Sequence, residues 1–194
     1  MSKSAKFDRT DVVEKATKLY WEKGFHGTSM RNLQDVIDMR PGSIYATFGN
    51  KENLFKEALQ HYAEGSLSRL SDCKKASSSP LEALRMLVKS IVINSSAPSG
   101  MCMLVKSVTE LTGQNAELLS EAKRLLSLIE TEFAATFKEA IEQGEISASK
   151  DPNYLARYLQ IQIMGIRTYA RANDNDQTIE GLIDDIFDSS IVRG

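Results

Sequence analysis

Only two cysteines, Cys73 and Cys102, stand in 194 residues. They are too few for a disulfide framework and lack metal-ligand spacing. Histidine is equally scarce: His26 and His61 lie far apart without a partnering Cys or acid pattern, so no metal site is expected. The chain has no Gly-rich phosphate loop, no metal motif and no base–nucleophile pairing. These absences argue against an enzyme, and no cofactor is expected. No apolar run approaches the ~18 residues that span a bilayer. The opening MSKSAKFDRT is polar and unlike a secretory leader. The expectation is a soluble, cytoplasmic chain with no membrane partner. Neither sign of charge dominates. Residues 1–60 carry ten Lys/Arg and eight Asp/Glu, the remainder fourteen and eighteen, for a net −2. Such a balance permits nucleic-acid binding without arguing for it.

What is present is helical periodicity throughout, with no strand-like alternation of useful length. Asp8 or Thr10 caps a first helix to about Lys23, with Val12, Val13, Ala16, Leu19 and Tyr20 on its inner stripe and Gly24 at its end. Asn50 caps a long helix from Lys51 to about Cys73. KKASSSP (74–80) breaks the chain before a helix opened by Pro80, and SSAPSG (95–100) forms a second loop. Further helices are expected from Met101 to about Leu111, Asn115 to Gln143, Asp151 or Pro152 to Ala172, and Asp176 to about Ile191. The fold class is all-α, with about nine helices.

The stretch Thr28 to Lys51, TSMRNLQDVIDMRPGSIYATFGNK, organises the rest. Met30, Leu33, Val36 and Ile37 give two helical turns that stop at Asp38-Met39. A second short helix reads Pro41 to Phe48, with Ile44 and Phe48 on one face. Two short helices joined by a three- to four-residue turn are the pattern of a helix-turn-helix. No acid occurs between Asp38 and Glu52, so nothing on the second helix repels phosphate. Thr28 is expected to cap the first helix of the pair through its hydroxyl, and Pro41 suits the first turn of the second. Met39, Ile44 and Phe48 are assigned to a small core.

RTDVVEKATKLYWEKGFHGTSMRNLQDVIDMRPGSIYATFGNKENLF resembles the DNA-binding domain of the TetR family of transcriptional regulators. The likeness runs through EKGF, Thr28-Ser29, the apolar frame of the paired helices, Ile44-Tyr45, Phe48 and Asn50-Lys51-Glu52. It covers about the first quarter of the chain. Asp38 departs from the usual Gly at the turn, where Asp tolerates a left-handed conformation. Arg40-Pro41 replaces a commoner small polar and basic pair. The resemblance implies a DNA-binding domain over 1–52 and an effector-binding and dimerisation domain over 53–194. It implies a homodimer on a pseudo-palindromic double-stranded DNA operator, most often as a repressor.

In that role Arg40, Pro41, Gly42, Ser43, Tyr45, Ala46 and Thr47 would face DNA. Arg40 and Arg31 can reach base edges, whereas Tyr45, Thr47, Thr28 and Lys51 suit phosphate contacts. Gly42 admits close backbone approach. The last two helices would pair with their copies, and their apolar positions (Leu155, Leu159, Ile163 and Ile166, then Ile179, Leu182, Ile183, Ile186 and Phe187) exceed what a lone surface helix needs.

A small hydrophobic or electrophilic effector is expected among helices four to eight, where Tyr62, Met86, Met101, Met103, Phe133, Phe137 and Tyr169 can line a cavity. GMCMLVKSVTEL (100–111) resembles the subgroup in which a cysteine senses electrophiles or oxidants. Cys102 near a helix start, with Lys106 one turn on, suits a thiolate. Packing as a small buried hydrophobe is the alternative for Cys102. The competing function is a non-enzymatic adaptor or architectural protein that keeps the fold.

Overall fold

Side-chain caps mark where most helices begin. The computed structural model describes residues 8–93, 98–173, 176–189 and 192, the side chains of 176 and 177 excepted. Asp8 accepts a hydrogen bond from Thr10 N and opens α1 (Arg9–Lys23), which ends at Gly24 with φ +78°. Helices α2 (Met30–Ile37) and α3 (Pro41–Phe48) follow, then α4 (Lys51–Ala76), where Asn50 Oδ1 accepts from Asn53 N at 2.7 Å. Ser79 accepts from Glu82 N ahead of Pro80 to start α5 (Pro80–Val92). Then come α6 (Met103–Glu110), a 3-10 turn at Gly113–Asn115, α7 (Ala116–Glu142), α8 (Pro152–Ala172) and α9 (Asp176–Asp188). Asp151 caps α8 by accepting from Asn153 N. Nine α-helices and no strand occur among the described residues, so the all-α expectation holds. None of these helices is long and apolar enough to cross a membrane. Parts of three expected features lie outside the described residues: the N-terminal arm, the loop at 95–100 and the end of the last helix.

The helices gather into two compact units, Met1–Ala63 with Cys102–Leu125, and Glu64–Met101 with Leu126–Gly194. The first unit takes in α6, which packs on α1 and joins it from far along the chain. In that unit Ala16, Leu33, Ile44, Leu54, Ala58 and Leu59 are fully buried. Tyr20 meets Phe55 edge-on at 4.8 Å between ring centroids.

Glu121 is a buried acid in the same unit. It accepts from Arg124 Nε and Nη2 and from Gln60 Nε2, each at 2.8 Å. The Arg124 bonds, chiefly, hold its carboxyl at about 2 against the opposing effect of burial. Because the folded value lies below the ordinary 4.5, the stabilisation is complete above that pH. It is lost as pH falls through the folded value of about 2. Glu121→Gln is therefore expected to cost ~2 kcal/mol at neutral pH, the scale of a charged hydrogen-bond set. Urea unfolding across acid pH should show that difference shrinking towards zero.

The second unit is built on a cluster that includes Leu84, Val88, Phe137, Leu155, Leu159, Ile183 and Phe187. Arg85 joins α5 to α9 through Asp184 at 2.7 Å and Asp188 at 2.8 Å. This core corrects one argument from the sequence. Of the nine apolar positions counted as surplus on α8 and α9, eight are buried within the protomer; Leu182 alone is exposed. They fill the space between α5, α8 and α9. The exposed apolar side chains of α8 are instead Tyr154, Ile161 and Tyr169.

Candidate nucleic-acid interface

The α2–α3 pair is held from one side only. Leu33 and Ile37 on α2, and Ile44 and Phe48 on α3, are buried, and Met39 closes the core between them. Asp38 takes the left-handed conformation (φ 52°, ψ 44°) that the turn requires, so an aspartate serves in place of glycine. Pro41 occupies the first turn of α3, where it lacks only an N–H that has no helical partner.

Anchoring Ile44 and Phe48 leaves the opposite face of α3 outward. Arg40, Pro41, Gly42, Ser43, Tyr45 and Ala46 are exposed and Thr47 is half-buried. Arg31 is exposed on α2. No hydrogen bond or ion pair ties the side chain of Arg31, Arg40 or Tyr45 to any described residue. Gly42 has left room around it: a Cβ there would meet nothing within 4 Å. The protomer itself therefore gives no packing reason for glycine.

Two expected phosphate ligands are used elsewhere. Thr28 is fully buried, and its hydroxyl donates to Gly24 O at 2.6 Å. The cap of α2 is Ser29, whose Oγ accepts from Asn32 N at 3.1 Å while Asn32 Oδ1 accepts from Ser29 N at 3.0 Å. A side chain with no exposed surface cannot touch phosphate, which corrects the reading of Thr28. Lys51 Nζ donates to Phe25 O at 2.6 Å and sits 4.2 Å above the Phe25 ring. Burial pushes the Lys51 ammonium below its ordinary pKa. Its role in the free chain is to hold the α1–α2 turn.

The residues expected around an effector separate. Cys102 is the N-cap position of α6, half-buried, without a side-chain cap bond. Lys106 does not turn its ammonium to a thiolate. Its Nζ donates to Trp21 O at 3.1 Å and Glu22 O at 2.7 Å, closing carbonyls at the end of α1. Glu110, one turn on, accepts from Phe25 N at 3.1 Å and His26 N at 2.7 Å. These partners lie more than 80 residues away in sequence, and no local pattern announces them. Tyr62 packs edge-on against Trp21 at 5.0 Å, and Met103 is fully buried. Phe133 and Phe137 belong to the core of the second unit, with Met86 half-buried on α5. Tyr169 points outward. Cys73, in the second unit, has its thiol pKa raised by burial.

Two family models match this arrangement in order. The one described as "Bacterial regulatory proteins, tetR family" covers residues 12–58, and "Tetracyclin repressor-like, C-terminal domain" covers residues 80–186. The chain belongs to the TetR family. It is thus a DNA-binding transcriptional regulator and not an enzyme. An uncharacterised HTH-type regulator, YezE of Bacillus subtilis, is 26% identical over 187 residues, 95% of this chain and 96% of that one. The repressor ComR of Escherichia coli is 26% identical over 85% of this chain and 80% of its own length. Among solved TetR structures, a cysteine mutant of CifR complexed with a 26-base-pair operator superposes with TM-score 0.85. It is 23% identical and covers 97% of this chain and 100% of that one. Reduced Escherichia coli NemR gives TM-score 0.79 at 17% identity, covering 95% and 96%.

Proposed function

We propose that this TetR regulator is a repressor that binds a pseudo-palindromic operator as a homodimer, in the cytoplasm. The N-terminal helices over 1–52 read DNA, and the remaining helices, 53–194, pair the copies and receive an effector. One observation carries the reading: the outward face of α3, from Arg40 to Thr47, has no partner for Arg40 or Tyr45 among the described residues and stands opposite the anchors Ile44 and Phe48. A surface of this kind suits a major groove. Arg40 and Arg31 are assigned to base edges, and Tyr45, Ser43 and Thr47 to phosphates. The operator in the CifR complex supports a DNA partner of the same kind.

The effector is small and hydrophobic or electrophilic. Cys102 begins α6, and α6 also carries Lys106 and Glu110, whose bonds fasten it to the α1–α2 turn. A change at that cysteine would therefore act on a helix fixed to the DNA-reading pair. Differential affinity of the effector for two conformations then sets operator occupancy.

Fluorescence anisotropy with the DNA upstream of the chain's own gene, in excess competitor DNA, tests this. Arg40→Ala and Tyr45→Ala are each expected to weaken binding ~10-fold or more, the worth of one good base or backbone contact. Gly42→Ala should fold normally and still lose affinity, because its added methyl meets only the DNA. Binding that disappears under competitor would favour the adaptor reading. Operator release by an oxidant, reversed by reductant and absent in Cys102→Ser, would identify the thiol as the sensor. Operator binding indifferent to oxidant would return Cys102 to a packing role.

A further inference from the structure

The second compact unit holds a cavity of about 440 Å³ between the last turn of α5, the last turns of α8 and residues 98–100. Its apolar wall is Ile91, Val92 and Ala170; its charged groups are Arg167 and Arg171, with no acid among the described lining residues. None of the residues expected from the sequence to meet an effector lines it.

Arg167 is only 7% exposed. No hydrogen bond or ion pair joins it to any described residue. Arginines this buried are normally paired, whereas the little surface Arg167 keeps includes its unpartnered guanidinium nitrogens. Here the cation borders an open volume. The second arginine, four residues on along α8, also lines that volume instead of an acidic surface. The mouth is built around it: an Arg171 Nη1 donates to Ser99 O, and Gly100 adopts φ +64° against the Arg171 side chain. A Cβ on Gly100 would lie 3.4 Å from Arg171 Cδ. The size falls within the range of sites for small organic ligands, ~300–1,000 Å³. A guanidinium matches a carboxylate in planar, two-point geometry. The aliphatic wall beside it suits a hydrocarbon.

We infer that this cavity binds a small carboxylate carrying a short apolar group, its charge on Arg167 and its chain against Ile91, Val92 and Ala170. Binding stands on the cavity alone; an effect of occupancy on operator affinity rests on the regulator reading above.

Calorimetric titration of the full chain with hexanoate, against 1-hexanol as the neutral isostere, tests it. Hexanoate is expected to bind saturably, one per chain, at least ten-fold more tightly than 1-hexanol. Arg167→Met should reduce that affinity at least ten-fold, and it removes a buried charge without leaving a void. Ala170→Leu, which fills the cavity while keeping Arg167, should reduce it as well, so the proposal does not depend on one variant folding. No saturable hexanoate binding, equal binding of 1-hexanol, or undiminished binding in both variants would overturn the site. Operator anisotropy on the same samples separates the two readings: hexanoate failure beside intact operator binding removes the cavity proposal alone, and the reverse removes the operator reading alone.

Discussion

Replacing Gly24 with alanine is expected to cost ~3 kcal/mol of unfolding free energy, from two sources with separate signatures. Gly24 closes α1 at φ +78°, ψ 175°, a backbone region open almost solely to glycine. Holding another residue there costs ~1–3 kcal/mol. The added Cβ would also fall 2.8 Å from Glu110 Oε1 and closer still to Oε2. The carboxylate is the end of a flexible side chain and can withdraw. Withdrawal, however, leaves Phe25 N and His26 N without their acceptor, and a hydrogen bond to a charged group is worth ~1.5–3 kcal/mol. A double-mutant cycle distinguishes the contributions. In Glu110→Ala the acceptor is already gone, so adding Gly24→Ala should cost only the backbone strain. The two losses should then sum to at least ~1 kcal/mol more than the double variant shows, the range expected for side chains in contact. Denaturant unfolding of the four proteins checks this; strict additivity would mean that Glu110 does not hold the α1–α2 turn.

The parts of this molecule that sequence reasoning reached are those whose physics is local. Asp8, Asn50 and Asp151 each bond to a backbone N–H within three residues, and Pro41 and Pro80 fit first turns by their own geometry. The buried frame Leu33, Ile37, Ile44 and Phe48 is likewise set by helical spacing. Thr28 and Ser29 show the limit of that method: both can cap, and tertiary burial of the first leaves the second to do so. Lys51 and Lys106 read as free cations because the carbonyls they meet, on Phe25, Trp21 and Glu22, are distant in sequence. The apolar stripes of α8 and α9 were legible as stripes, but which side faces the protomer's core depends on where α5 lies. Nothing in a charge or hydropathy pattern separates Arg167 from the other arginines of α8; only its packing does.

Ile161→Glu is expected to convert the proposed dimer into monomers and to lower operator affinity by more than ~100-fold. With the inward positions of α8 and α9 occupied, the outward side of α8 presents Tyr154 (57% exposed), Ile161 (65%) and Tyr169 (46%). Positions 154 and 161 are seven apart, two helical turns on one face. Leu182 on α9 is exposed as well. Gly165 and Gly181 have nothing within 4 Å of a built Cβ, leaving each helix surface flat enough for another helix to approach closely. An apolar helical face of this sort is disfavoured in water and self-complementary about a two-fold axis. A carboxylate at its centre would meet its own copy across that axis, and Arg157, one turn before it on α8, is already engaged by Glu130 at 3.3 Å. Since Ile161 is exposed, the protomer fold should survive the change. A monomer keeps only one half-site, and the loss of the linked second half-site removes the effective-concentration advantage, typically ~100-fold or more. Sedimentation velocity and anisotropy on one preparation read both effects. Leu128→Glu, an equally drastic change at the exposed Leu128 on α7, is the control and should leave the dimer intact. A dimer that survives Ile161→Glu but not Leu128→Glu would move the interface from α8 to α7.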